Sequence, residues 1–198
     1  MIRNARTPLR RLLTAAAATA VLLTAAPTPA TAHPAARDTA ALRPLADLSA
    51  RRLATADLVA AAKWGTGSPV DDPAREQQVL DAVARQAAGL GTDPQWTARI
   101  FRDQIEANKT VQRGLHRRWT LDPAQAPAER PDLGEVRKEI NRVNDALVRA
   151  IAASGEARTS PGCVPSLAGA AAHVRREQHL DVLHSPALAR SVRSVCGR

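Results

Sequence analysis

The stretch TDPQWTARIFRDQIEANKTVQRGLHRRW, residues 92 to 119, decides the fold. It opens on Thr92 or Asp93 followed by Pro94, a side-chain cap ahead of a residue whose fixed φ suits the first helical turn. Phe101, Ile105 and Leu115 then recur at helical spacing, and the spacing predicts a long helix to about Trp119. Gln104, Asn108 and Gln112 interleave with these apolar residues. Asn108 and Gln112 are four positions apart and therefore neighbours on the helix. Buried amides can bond to one another between packed helices, so this stretch alone establishes a helix with a polar seam.

The same signals recur on both sides. Ala, Arg and Leu dominate the chain and Tyr is absent, which leaves strands almost without support. A first helix is expected from about Thr39 to Trp64, stopped by the turn-rich segment Gly65 to Pro69. Asp71 or Asp72 with Pro73 starts a second, which Gly89 and Gly91 end near Leu90. After residue 119, the stretch from Leu121 to Pro131 contains three prolines, which predict an extended connection. Asp132 and Glu135 have the spacing of a capping box, opening a helix from Leu133 to about Ser154. Gly155 to Gly162 is expected as a loop, followed by a shorter helical pair, Val164 to Leu180 and Ser185 to Cys196. The expected fold is all-α, a single-domain bundle of about six helices, three of them long, covering residues 39 to 198.

The N-terminus carries Arg3, Arg6, Arg10 and Arg11, an apolar run from Leu12 to Ala26, and the small tripeptide Ala30-Thr31-Ala32. That order is a cleavable secretory signal with its cut after Ala32, leaving residues 33 to 38 as a flexible mature terminus. The run is too short for a comfortable membrane span, so the expected destination is secreted or periplasmic, with no membrane partner after cleavage. Removing residues 1 to 32 and their four arginines takes the net charge from +9 to +5. With no basic tail and no aromatic row for stacking bases, nucleic acid is not an expected partner. The two cysteines, Cys163 and Cys196, both lie in the mature part, and in an exported chain they are most simply a disulfide tying the C-terminal helix pair. No His or Cys pair stands at zinc-ligand spacing, so no metal site is expected.

The charged residues on apolar faces carry the functional reading. Leu45, Leu48, Arg52, Val59 and Lys63 return to one face, and Arg52 and Lys63, close to three turns apart, point the same way. Snorkelling explains one such cation more easily than two. Arg137 lies between Leu133 and Ile140, with Asn144 two turns beyond Arg137. Asp72, Arg75 and Glu76 start the second helix, where they also suit first-turn caps or a surface ion pair. Four helices thus each bring a polar or cationic group to a face that should be buried. A bundle tolerates that if the groups meet in one cavity and a ligand supplies the missing charge. The ligand implied is a small di-anion held by Arg forks.

Arg52, Lys63, Arg75-Glu76, Asn108, Gln112 and Arg137, followed by Cys163 and Cys196, resemble the exported subclass of the all-helical chorismate mutases. Arg51-Arg52-Leu53, the segment Val59 to Trp64, Asp103-Gln104-Ile105 and Pro131-Asp132-Leu133 stand where that subclass has them, and the resemblance runs from about residue 40 to 196. It implies rearrangement of chorismate to prephenate without cofactor, nucleophile or metal, and a homodimer with each site inside one chain. It also implies Arg52 and Arg137 on the substrate carboxylates with help from Asn108, Lys63 and Gln112 donating to the ether oxygen, Glu76 at the ring hydroxyl, and Arg75 orienting the group. Asp72 is counted with the substrate-binding set. Asn108 departs from the small hydroxyl residue the subclass carries there. Apart from the resemblance, the same cationic cavity also suits an exported binding protein for a small di-anion.

Overall fold

The computed structural model describes residues 34 to 197. The secretory segment read in residues 1 to 32, with its cleavage point, lies outside the described residues. Among the described residues the chain is helical throughout: α1 Pro34–Lys63, α2 Pro73–Gly89, α3 Pro94–Leu121, α4 Leu133–Ala153, α5 Gly155–Thr159, α6 Cys163–Glu177 and α7 His184–Ser191, with a 3₁₀ turn at Pro123–Gln125.

Three aspartates start the helices that frame the site. Asp72 Oδ1 accepts from Arg75 N at 3.1 Å, Asp93 Oδ1 from Gln95 N and Trp96 N at 2.9 and 3.2 Å, and Asp132 Oδ1 from Glu135 N at 2.9 Å. Each satisfies an amide that the first turn leaves without a partner. The box expected at Asp132 and Glu135 is only half made, because Glu135 pairs with Lys138 at 2.6 Å instead. A reciprocal contact forms at α2, where Asp72 N donates to Glu76 Oε1 at 3.4 Å. Gly91 ends the second helix in the left-handed region, φ +68, where a side chain would be strained.

Four expected boundaries move. α1 begins at Pro34, so helix covers residues 34 to 38 of the stretch expected as a flexible terminus: proline is tolerated in a first turn, and alanine favours helix. Gly155 to Gly162 is not all loop, since α5 takes one turn that buries Ala157 and stacks Arg158 over the Trp96 ring at 3.4 Å. α6 stops at Glu177 rather than Leu180, where the backbone reverses through His179 at φ +50. α7 stops at Ser191 because α3 side chains claim the following backbone: Asp103 Oδ2 accepts from Ser194 N at 3.0 Å and Trp96 Nε1 donates to Ser194 O at 2.9 Å.

α1 runs along the bundle and packs against α3, α4 and α6, while α2 covers α3 and α4 and α7 lies on α3. Leu42, Leu45, Ile100, Phe101, Leu147 and Ile151 are among the large side chains of one buried cluster. A second cluster is built on small residues of α1, Ala46, Ala50, Ala56 and Ala60, which let α3 and α6 approach closely through Val111 and Val174. Cys163 and Cys196 form a disulfide that joins the start of α6 to the turn after α7. Closing a loop of this length stabilises the fold by about 3 to 4 kcal/mol in the chain-entropy picture.

Candidate active site

α1 to α4 face one another around a single cleft. Its wall carries Arg52 and Lys63 from α1, Asp72, Arg75 and Glu76 from the start of α2, Asn108, Lys109 and Gln112 from α3, and Arg137 from α4, with Val59, Val79, Ile105, Leu133 and Ile140 between them. All eight ligand-binding residues expected from sequence therefore line one cavity. Gln104, flagged by the same pattern, does not. Its amide bonds Ser49 Oγ at 2.6 Å and Ser191 O at 3.0 Å, a satisfied contact between helices.

Arg52 is the most deeply set cation, 5% exposed. Its Nε donates to Asn144 Oδ1 at 2.8 Å and its Nη1 to Gln104 O at 3.0 Å. Neither partner is charged, and burial lowers its pKa to about 10. A guanidinium fixed on one edge and lacking a counter-ion favours an incoming carboxylate.

Lys63 closes α1 and donates to Pro69 O at 2.8 Å and Val70 O at 3.3 Å. The ammonium has three donors, so one remains for a ligand. Burial holds its pKa below the ordinary lysine value; nearby Arg137 pushes the same way, and Asp72, Asp71 and Glu76 oppose them. Arg137 forms no hydrogen bond or ion pair among the described residues. Arg75 makes only long contacts, 3.3 Å to Gln78 Oε1 and 3.4 Å to Asn141 Oδ1.

The two amides of α3 bond each other. Gln112 Nε2 donates to Asn108 Oδ1 at 2.6 Å, and Asn108 Nδ2 donates to Arg52 O at 3.3 Å. Asn108 is therefore engaged with its neighbours, and Gln112 keeps one N–H while its Oε1 is buried without a partner. Asp72 lines the cleft mainly as the cap of α2.

Lys109 was missed by sequence reasoning. Its Nζ meets Glu76 Oε1 and Oε2 at 3.1 and 3.3 Å, Asp71 Oδ1 at 3.1 Å and Glu106 Oε1. Burial works against its charge, but the hydrogen bonds to Glu106, Asp71 and Glu76 outweigh it and raise its pKa above the ordinary lysine value. The signal available was Glu106 and Lys109 at i and i+3, beside Asn108, which alone reads as a surface pair.

Comparison with known proteins bears on what such a cleft does. The chorismate mutase type II family matches residues 43–113. The secreted chorismate mutase of Mycolicibacterium smegmatis is 40% identical over 159 residues, 80% of this chain and 88% of that protein. The chain belongs to the chorismate mutase family. The secreted chorismate mutase of Mycobacterium tuberculosis is 35% identical over 158 residues, 80% of this chain and 79% of the relative. The crystal structure of chorismate mutase from Burkholderia phymatum superposes with a TM-score of 0.77 at 36% identity, covering 81% of this chain and 99% of that one.

The family match takes in every expected ligand-binding residue except Arg137, which α4 supplies from outside residues 43–113. A chorismate mutase needs a cavity that holds a small di-anion in one conformation, and the cleft offers cations on α1, α2 and α4 with apolar side chains between them. Among the described residues no helix is long and apolar enough to cross a membrane.

Proposed function

We propose that this chorismate mutase converts chorismate to prephenate in the cleft between α1 and α4, with no covalent intermediate and no metal. The observation that carries the reading is convergence: cations from three helices and an amide pair from a fourth surround one apolar-lined cavity of a single chain. Arg52 and Arg137 hold the two substrate carboxylates, Arg75 orients the group, and Glu76 accepts from the ring hydroxyl. Asn108 acts by holding Gln112 and the backbone of Arg52, a role its bonds to both support.

In the rearrangement the ether carbon–oxygen bond breaks as a carbon–carbon bond forms, and negative charge grows on the ether oxygen. The free N–H of Lys63 and that of Gln112 stabilise this charge more than the ground state, which raises the rate rather than merely tightening binding. A unit charge at 4 Å in an effective dielectric near 20 interacts by about 4 kcal/mol, and the partial charge on the oxygen gains less. Restricting a flexible substrate to its reactive conformer removes part of the entropic barrier.

The exported subclass fits the segment read at residues 1 to 32 and the secreted relatives, so the enzyme acts outside the cytoplasm. The expected ligand-binding residues line one cavity of a single chain, which supports a site built inside each chain, and the family resemblance supports a homodimer; sedimentation of the mature chain should give twice the monomer mass. The reaction itself is checked by incubating residues 33 to 198 with chorismate and a metal chelator and identifying the product by chromatography. Prephenate forming at an undiminished rate is expected, and chorismate left to its uncatalysed decay contradicts the reading.

A further inference from the structure

Lys109 sits in the cleft wall with its side chain 11% exposed, yet it has nothing left to give a ligand. An ammonium has three donors. Asp71 from the α1–α2 loop, Glu76 from α2 and Glu106 from α3 take all three. Two of these carboxylates have a second cation: Arg113 Nη2 meets both oxygens of Asp71 at 2.7 Å, and Arg190 Nη2 lies 3.6 Å from Glu106 Oε2. Among the described residues Glu76 has no other. Apart from Lys109 it accepts, among those residues, only from the backbone N of Asp72, at 3.4 Å. Removing Lys109 would leave Asp71 and Glu106 partnered and Glu76 alone.

We propose that Lys109 is a positioning residue for this reaction: by engaging both oxygens of Glu76, it holds that carboxylate as the fixed acceptor for the ring hydroxyl of the substrate. The proposal rests on the chorismate mutase reading and on Glu76 meeting that hydroxyl. Held by Lys109 along one side, Glu76 presents its remaining lone pairs to the cleft, whereas a loose Glu76 is drawn to Arg75 or Lys63 and competes with the substrate carboxylates for their charge. Orientation losses of about 1 Å cost up to about a hundredfold in rate, and a hydrogen bond to a charged group contributes roughly ten- to a hundredfold.

The test compares chorismate with an analogue lacking the ring hydroxyl, using wild type and Lys109→Met. Because both substrates are measured on one preparation, their ratio is independent of the folded fraction. Lys109→Met should lower kcat/KM for chorismate about tenfold or more, mostly through KM, while changing the deoxy analogue by less than about threefold. Lys109→Arg, which keeps a charge at that point, should recover most of the loss. In a Glu76→Gln background, Lys109→Met should add almost nothing. An equal loss on both substrates, or no loss on either, overturns the proposal while leaving the mutase reading intact. Failure of the wild type to consume chorismate overturns both.

Discussion

Arg52 of α1 is held by Asn144 of α4 through a 2.8 Å bond from Nε to Oδ1, so the deepest cation of the cleft is set by an amide that never reaches the cavity wall. Asn144 is itself only 5% exposed. Asn144→Ala should leave Arg52 held only by Gln104 O and lower kcat/KM about tenfold, with KM carrying most of the change, because the lost bond is to a charged group in a dry setting. Steady-state kinetics on chorismate check this, and an unchanged KM contradicts it.

Gln112 donates without regard to pH, whereas a glutamate there can donate to an ether oxygen only when protonated. The position is buried and faces Asn108 Oδ1 at 2.6 Å, so an ionised carboxylate in place of the amide would meet both desolvation and a neighbouring oxygen. Gln112→Glu should therefore shift the optimum of kcat/KM toward acid. An unchanged pH profile contradicts a role for Gln112 at the ether oxygen.

In the proposed mechanism Lys63 must be charged to stabilise the breaking bond, and its pKa is held below the ordinary value of 10.5 by burial, with Arg137 adding to the effect. Activity should thus fall on an alkaline limb that begins below pH 10.5. Arg137→Gln removes the cation that adds to the effect of burial and should move that limb upward, even though it also weakens substrate binding. A limb that stays in place in the variant contradicts the assignment to Lys63.

His184, at the start of α7, bonds Asp57 Oδ1 of α1 at 3.1 Å and Asp181 Oδ1 at 2.7 Å. The bond to Asp57, with help from Asp181 and against burial, raises its pKa to about 9. A raised pKa means that the stabilisation is complete below the unfolded value of 6.5 and is lost as pH rises through about 9. Both aspartates are largely solvated, so the contribution is discounted to about 1 kcal/mol, or roughly 2 to 4 °C in Tm for a domain of this size. Thermal melts between about pH 6 and 10 should show this decline in wild type and a flatter course in His184→Gln.

The helices were legible because their starts are marked by Asp72-Pro73, Asp93-Pro94 and Asp132, and all three caps are made. The cleft was legible for a related reason: Arg52, Lys63 and Arg137 stand on stripes that should be apolar, and periodicity exposes such residues one helix at a time. Partners between helices leave no mark of that kind. Nothing in the spacing distinguishes Gln104, which bonds Ser49, from Gln112, which faces the cleft, and the Lys109 contacts join residues 33 and 38 positions apart. The short turn of α5 and the early end of α7 were also hidden, since Trp96 of α3 stacks on Arg158 and, with Asp103, holds the backbone of Ser194 from far along the chain.

In the proposed mechanism Lys63 acts on the breaking bond and does not only bind. Loss of chorismate absorbance in the ultraviolet, followed with equal concentrations of wild type and Lys63→Ala, tests it most directly. The wild type should consume chorismate, and the variant at saturating substrate should be slower by roughly 10²- to 10³-fold, the usual effect of removing one donor at a developing oxyanion. Equal rates for the two proteins, or no consumption by the wild type, would contradict the account.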